Sequence, residues 1–361
     1  MTINSLPKPT GEDAPLLETV VPTTFGTENT SLSKAPTRGL KKQSQTPHFP
    51  DPTFARALKK DDRVRGRQRF PQAVAHRGYK AKFPENTMSA FKGAVEAGAH
   101  GLETDIHLSK DGVDPSLKRC YGEKTRIIEH DWEYLSTLRT VKAPHEPMPR
   151  LTDLLRYMSE PEQEDIWVLL DIKVDNNADD VIRLIAEAIS SVPPGRREWK
   201  DRVLLGCWAG HYLPLCNTYL PGFPITIISF SVVYSSQFLR VPNISFNTYQ
   251  KILMGPLGGG FLKRVKEAQR PIFGWTVNSP VLMRWCVRNG LDGVVTDDPE
   301  TFRRICEEWD AGDDEDTSVG ILQRLQLYWL ALVVIVLGPI FTRRFPVTGM
   351  ETFVSEKEKS W

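Results

Sequence analysis

The sequence predicts an α/β chain built as a (β/α)8 TIM barrel between two non-barrel ends. Two observations carry this prediction. Apolar runs of five to nine residues alternate with helical patterns about eight times, and the runs are near-continuously apolar, as parallel strands buried on both faces must be. The chain has 361 residues, room for one barrel of about 250 residues plus tails. Alternation repeated this often favours a barrel over a doubly wound sheet, although periodicity alone does not establish closure.

At the N-terminal end, residues 1–70 are rich in Ser, Thr, Pro and Lys/Arg with only scattered apolar residues, a composition that cannot offset the entropy of ordering, so a disordered N-terminal segment is expected there. It contains no apolar h-region, and Glu12, Asp13, Glu18 and Glu28 argue against a mitochondrial presequence. The barrel is expected over 71–309, with strands at 73–77, 101–108, 166–174, 202–209, 224–230, 243–247, 272–278 and 293–297. Helical patterns fall at 88–97, behind a candidate cap at Asn86 and stopped by Gly98, and at 150–158, 178–189, 258–268 and 280–288. Residues 310–320 read as an acidic linker, 321–344 as a hydrophobic helix and 345–361 as a polar tail. Within the helix, 325–341 is apolar apart from Gln326, about 25 Å long at 1.5 Å per residue, and flanked by arginines, which predicts a membrane-anchoring segment. An anchored protein with its barrel facing the cytosol, on an endomembrane or mitochondrial membrane, is therefore expected.

Composition excludes several classes. The 46 basic and 45 acidic residues leave a net charge of +1, so no nucleic-acid partner is expected. The five cysteines are odd in number and lack C-x-x-C spacing, which suggests reduced thiols and neither a disulfide framework nor a zinc site.

Candidate chemistry gathers at the ends of the predicted strands. His76 and Arg77 end the first, Glu103 and Asp105 lie two apart and so on one face of the second, and Asp171 and Lys173 lie late on the 166–174 strand. In a barrel these six groups share the C-terminal rim, where they can hold a hard divalent cation and a phosphodiester. Three carboxylates with no thiol and few imidazoles nearby select Mg²⁺ or Ca²⁺ over zinc. Trp275, at the end of the seventh strand, either lines the pocket or packs in the core.

Ordered motifs make the reading more specific. His76-Arg77-Gly78, Pro84-Glu85-Asn86-Thr87, Glu103-Thr104-Asp105, Ser109-Lys110-Asp111-Gly112, Leu169-Leu170-Asp171-Ile172-Lys173, Gly274-Trp275-Thr276-Val277-Asn278 and 292–299 together resemble the glycerophosphodiester phosphodiesterases over roughly 71–305. Within that family the chain looks most like the fungal phosphatidylglycerol phospholipase C branch. The resemblance implies the barrel independently, with Glu103, Asp105 and Asp171 as metal ligands, His76 as a catalytic acid/base, and Arg77 and Lys173 on the phosphate. The family usually has glutamate where this chain has Asp171. It implies hydrolysis of a glycerophospholipid, phospholipase C-type on phosphatidylglycerol, or of a glycerophosphodiester.

One departure stands out. The family's pattern continues from Lys-Asp-Gly through a short apolar strand to a second histidine, whereas here Val113 joins directly to Asp114. This predicts a truncated third strand and a missing acid/base group, which His130 of the His130-Asp131 dipeptide could replace. The alternative reading is a catalytically impaired barrel that binds phospholipid head groups or a partner at a membrane.

Overall fold

The computed structural model describes residues 2–3, 48–62, 66–108, 115–125, 127–309, 320–345, 347, 350 and 352–354. Eight parallel strands form the barrel: β1 (Gln72–His76), β2 (Gly101–Leu108), β3 (Trp167–Ile172), β4 (Val203–Cys207), β5 (Ile225–Ser229), β6 (Ser245–Tyr249), β7 (Ile272–Trp275) and β8 (Gly293–Thr296). Their order is sequential, β8 pairs with β1, and every pairing is parallel, so the sheet closes with no free edge among these strands.

Among the described residues no strand stands between β2 and β3, as the expected truncation at Val113–Asp114 implies: the two pair directly, in register from Gly101 opposite Trp167 to Ile106 opposite Ile172, and the sheet closes without the missing stretch. The short stretch at Val113–Asp114 belongs to the connection between them. Residues 109–114 lie outside the described residues, and the rest of the connection carries helices at Pro115–Tyr121, Trp132–Leu135 and α2 (Leu151–Met158).

Alternation along the strands sorts the side chains. Ala73, Ala75, Val168 and Leu170 face outward to the helices in the main core, while Val74, Trp167, Leu169, Leu204, Phe273 and Val295 fill the barrel interior. Trp167 fits because its neighbour on β2 is glycine: a Cβ at Gly101 would stand 2.5 Å from the indole. Trp167 Nε1 donates to Gln72 Oε1 at 2.7 Å, which satisfies the one polar atom that the ring brings into this interior.

The surrounding helices include α1 (Met88–Glu96), α3 (Ala178–Ser190), α4 (Tyr212–Tyr219), α5 (Val232–Ser236), α6 (Gly258–Glu267), α7 (Pro280–Arg288) and α8 (Pro299–Glu308). The cap of α1 is Thr87, whose Oγ1 accepts from Ala90 N at 3.2 Å, and not Asn86. After the last strand, on the same rim, Asp298 caps α8 and Pro299 occupies its first turn, so the Asp-Asp-Pro run starts a helix.

Residues 48–62 and 66–70, assigned by composition to the N-terminal segment, are folded. Phe49 and Ala55 are buried, Ala55 within the barrel's interior cluster. Gln72 Nε2 donates to Phe54 O and Arg56 O at 2.8 and 2.7 Å, and Ala57 N donates to Asp292 Oδ1 at 3.0 Å. Leu58–Asp62 and Gly66–Phe70 then form an antiparallel hairpin. Residues 4–47 lie outside the described residues.

The membrane anchor is also corrected. A helix, α9 (Ile321–Arg344), does form over the expected segment, but among the described residues no helix is long and apolar enough to cross a membrane. Part of its apolar surface is used within the fold: Leu327 and Ala331 are buried, and α9 contacts α5 and the short helix Gln250–Leu253. The expected placement on an endomembrane or mitochondrial membrane falls with the anchor.

Candidate active site

The register of the first three strands assembles the site. His76 pairs with Glu103 across β1 and β2, and Asp105 pairs with Asp171 across β2 and β3. Because Glu103 and Asp105 are two apart, both carboxylates point inward at the C-terminal end. Glu103, Asp105 and Asp171 are buried, and one oxygen of each lies within 4.8 Å of the others.

Three buried carboxylates need compensating charge. Lys173 provides part of it: Nζ lies 2.6 Å from Asp105 Oδ1 and also bonds Asp171 Oδ2. Arg77 provides more, with Nε 2.9 Å from Asp105 Oδ2 and Nη1 2.6 Å from Glu85 Oε1. Burial would raise the Asp105 carboxyl, but Lys173 and Arg77 outweigh it and hold the group well below the usual carboxylate range. Glu103 behaves oppositely. Burial, reinforced by the like charges of Asp105 and Asp171, pushes it up to about 7 against the pull of His76 and Lys173. With Glu103 ionised, Glu103, Asp105 and Asp171 carry one more negative charge than Lys173 and Arg77 supply. Three oxygen donors around such a deficit fit a hard divalent cation.

The histidine is oriented from behind. His76 Nδ1 lies 2.6 Å from Asp297 Oδ1, and Asp297 Oδ2 accepts from Asn278 Nδ2 at 2.8 Å. Burial opposes ionisation of Asp297, but the hydrogen bond and charge of His76, with Lys80 3.4 Å away, hold its carboxyl below its ordinary value. This contact fixes Nδ1–H toward the carboxylate and leaves Nε2, 4.0 Å from Glu103 Oε2, facing the cluster.

The turn after β1 is strained. Arg77 sits at φ 57°, a left-handed conformation costly for a non-glycine residue, and its backbone N–H donates to Glu103 Oε2 at 2.8 Å. Gly78 follows at φ 81°, where a Cβ would lie 2.6 Å from the Ala90 backbone on α1. The His-Arg-Gly motif is therefore a backbone device as well as a set of side chains. Asn86, at φ 55°, donates from Nδ2 to Asp105 Oδ2 at 3.2 Å and accepts from Thr104 Oγ1 at 3.1 Å, bracing a carboxylate where a helix cap was expected.

An aromatic wall faces the carboxylates. Trp208 Nε1 donates to Asp171 Oδ1 at 2.7 Å, and its ring packs on Trp275 at 5.4 Å and Phe230 at 5.8 Å. Trp275 is half-buried, packs on Tyr249 at 5.3 Å and donates to Asn247 O at 3.0 Å, so it serves both the wall and the interior. His130, a minor candidate to replace the missing histidine, is bonded to Thr125 Oγ1 at 2.8 Å and packed on Tyr134. His107, two residues beyond Asp105, is buried with Nδ1 3.8 Å from Asp175.

The structure thus brings His76, Arg77, Glu103, Asp105, Asp171 and Lys173 to one rim, with Trp275 on its wall. Glu85, Asn86, Trp208 and Asp297 were not singled out for the site from sequence. Glu85 and Asn86 stand within the Pro-Glu-Asn-Thr motif, and Asp297 within Asp-Asp-Pro, so position inside a motif was the available signal.

A (β/α)8 barrel with this rim defines the chain as a phosphoric diester hydrolase. It belongs to the glycerophosphoryl diester phosphodiesterase family, whose profile matches residues 76–301. The chain is 27% identical over 247 residues to a glycerophosphodiester phosphodiesterase of Bacillus altitudinis, covering 65% of this chain and 97% of that one. An uncharacterised protein of Bacillus subtilis is 28% identical over 238 residues, covering 63% and 94%. Among solved structures, an Oleispira antarctica phosphodiesterase in complex with the product sn-glycerol-3-phosphate superposes with a TM-score of 0.54 at 18% identity, covering 66% of this chain and 98% of that one. The family is typically dependent on a divalent metal, which agrees with the acidic cluster.

Proposed function

We propose that the chain hydrolyses glycerophosphodiesters with Mg²⁺ or Ca²⁺ held by Glu103, Asp105 and Asp171, and that its substrates extend to glycerophospholipids cleaved in phospholipase C fashion, phosphatidylglycerol among them. The observation that carries this is the in-register carboxylate trio with His76 aimed at it through Asp297. A bound divalent ion supplies Lewis-acid polarisation of a phosphoryl oxygen. His76 Nε2 would take a proton from the attacking water as its oxygen bonds phosphorus and the P–O bond to the leaving alkoxide breaks; Asp297 stabilises the imidazolium, and the alkoxide takes its proton from solvent where the second histidine is missing. Lys173 and Arg77 place positive charge beside the phosphate; Lys173 is held cationic by Asp105 and Asp171, which outweigh its burial. Trp275 and Trp208 flank the glycerol side.

The direct join of Val113 to Asp114 favours a second reading, a barrel that binds the diester without turning it over, because the family's other histidine is missing. Purified protein with Mg²⁺ or Ca²⁺ and sn-glycero-3-phosphoglycerol or phosphatidylglycerol separates the two. Release of glycerol phosphate supports hydrolysis. Saturable binding with no product supports the second reading.

A further inference from the structure

An apolar groove of about 470 Å³ lies beside the rim, between the segment after β5, the segment after β6, and α9. Val232, Val233, Ile252, Leu257, Ala331 and Val334 are among its lining residues. Val233 and Leu257 are 58% and 46% exposed, which leaves an apolar lip open to solvent. The third wall stays open where α9 carries Gly338, since a Cβ there would meet nothing within 4 Å.

The groove is linked to the site through one residue of the chain segment that lines it. Phe230 directly precedes the groove residue Ser231, is 39% exposed, and packs on Trp208, the residue that donates to Asp171. Two aromatic rings, Trp208 and Phe230, therefore stand between Asp171 and the segment that enters the groove at Ser231. A deacylated glycerophosphodiester is polar throughout and gains nothing from this apolar surface. A diester carrying an alkyl tail gains from all of it.

We infer that this groove holds an acyl chain of a glycerophospholipid whose phosphate lies at the rim. The inference rests on the proposed function and names a substrate class for that site. The groove's mainly apolar walls select by chain length, and the head group is recognised elsewhere, at His76, Lys173 and the carboxylates.

The test is binding of monomeric lysophosphatidylglycerols with acyl chains of increasing length, kept below their micelle concentrations, in metal-free buffer to prevent turnover. Each added methylene is expected to tighten binding by up to about fourfold until the groove is full. Val233→Glu, at an exposed lip position, and Ala331→Trp, which fills the groove, both flatten that dependence. An affinity independent of chain length in the wild type overturns the inference, as does an undiminished slope in both variants. Concentration-dependent dimerisation relieved by Val233→Glu also overturns it, assigning the groove to a second copy of the chain. Turnover of sn-glycero-3-phosphoglycerol with Mg²⁺, assayed in parallel, reports on the proposed function separately: its absence removes the catalytic reading, whereas the chain-length slope alone decides the groove.

Discussion

Glu103 makes metal binding a proton-release reaction. Its carboxyl is pushed up to about 7 by burial together with Asp105 and Asp171, while a metal ligand must be ionised. At pH 6 about nine-tenths of the metal-free protein carries this proton, and at pH 8 about one-tenth does. Binding therefore releases about 0.9 proton per ion at pH 6 and about 0.1 at pH 8, and the apparent affinity falls about tenfold, or about 1.4 kcal/mol, from pH 8 to pH 6. The sign comes from the raised value: lower pH populates the neutral acid and opposes the cation. Calorimetric titration with Ca²⁺ or Mg²⁺ in two buffers of different ionisation enthalpy measures both quantities. Glu103→Gln removes the proton release and a ligand together. Asp171→Asn weakens binding at every pH and moves the midpoint down, because one of the charges that raises Glu103 is gone. An affinity that is flat from pH 6 to 8, with no buffer-dependent heat, would refute this account of the cluster.

Three further outcomes are expected. Asp297→Asn leaves KM nearly unchanged and lowers kcat by about 10²- to 10⁴-fold, because the amide no longer fixes the His76 tautomer; steady-state kinetics at saturating metal checks it, and a drop under about tenfold counts against the pairing. Gly101→Ala drives a methyl into Trp167 and costs about 1–3 kcal/mol in urea unfolding, with the denaturant slope unchanged. Inserting a short strand ending in histidine between Val113 and Asp114 raises kcat/KM by about 10²- to 10⁴-fold over the same insertion ending in alanine. The two insertions differ only in that side chain and unfold at the same temperature; unequal melting points would show that the histidine acts through the fold.

Much of the barrel is legible in the sequence because its signals are local. Strand runs such as 166–172 and 224–230 are mostly apolar, and spacing alone puts Glu103 and Asp105 on one face. The hidden features depend on distance along the chain. The pairing of His76 with Asp297 joins residues 221 apart, and Asp-Asp-Pro reads locally as a turn. Asn86 resembles a cap because Asn caps helices often, yet Thr87 beside it takes that role and frees Asn86 for Asp105. The gap at Val113–Asp114 reads as a lost barrel strand, and β2 and β3 do pair directly; that the sheet still closes depends on pairings between residues distant in sequence. The apolar run 325–341 reads as an anchor, whereas among the described residues no helix is long and apolar enough to cross a membrane, and Leu327 and Ala331 are covered within the fold.

The seal at the barrel's N-terminal mouth bears on where the catalytic unit begins. The family match starts at residue 76, yet Ala55 packs among the side chains that fill the barrel, and Gln72 ties the Phe54 and Arg56 carbonyls to β1. Further out, Phe49 stacks on Phe353 at 5.0 Å, and its carbonyl accepts from Asn243 Nδ2 at 2.9 Å just ahead of β6. A fragment cut to the matched boundaries would expose the indole of Trp167 and strip Asp292 of its contact with Ala57. The smallest self-sufficient piece is thus longer than the matched one, and its extra length lies on the face opposite the chemistry.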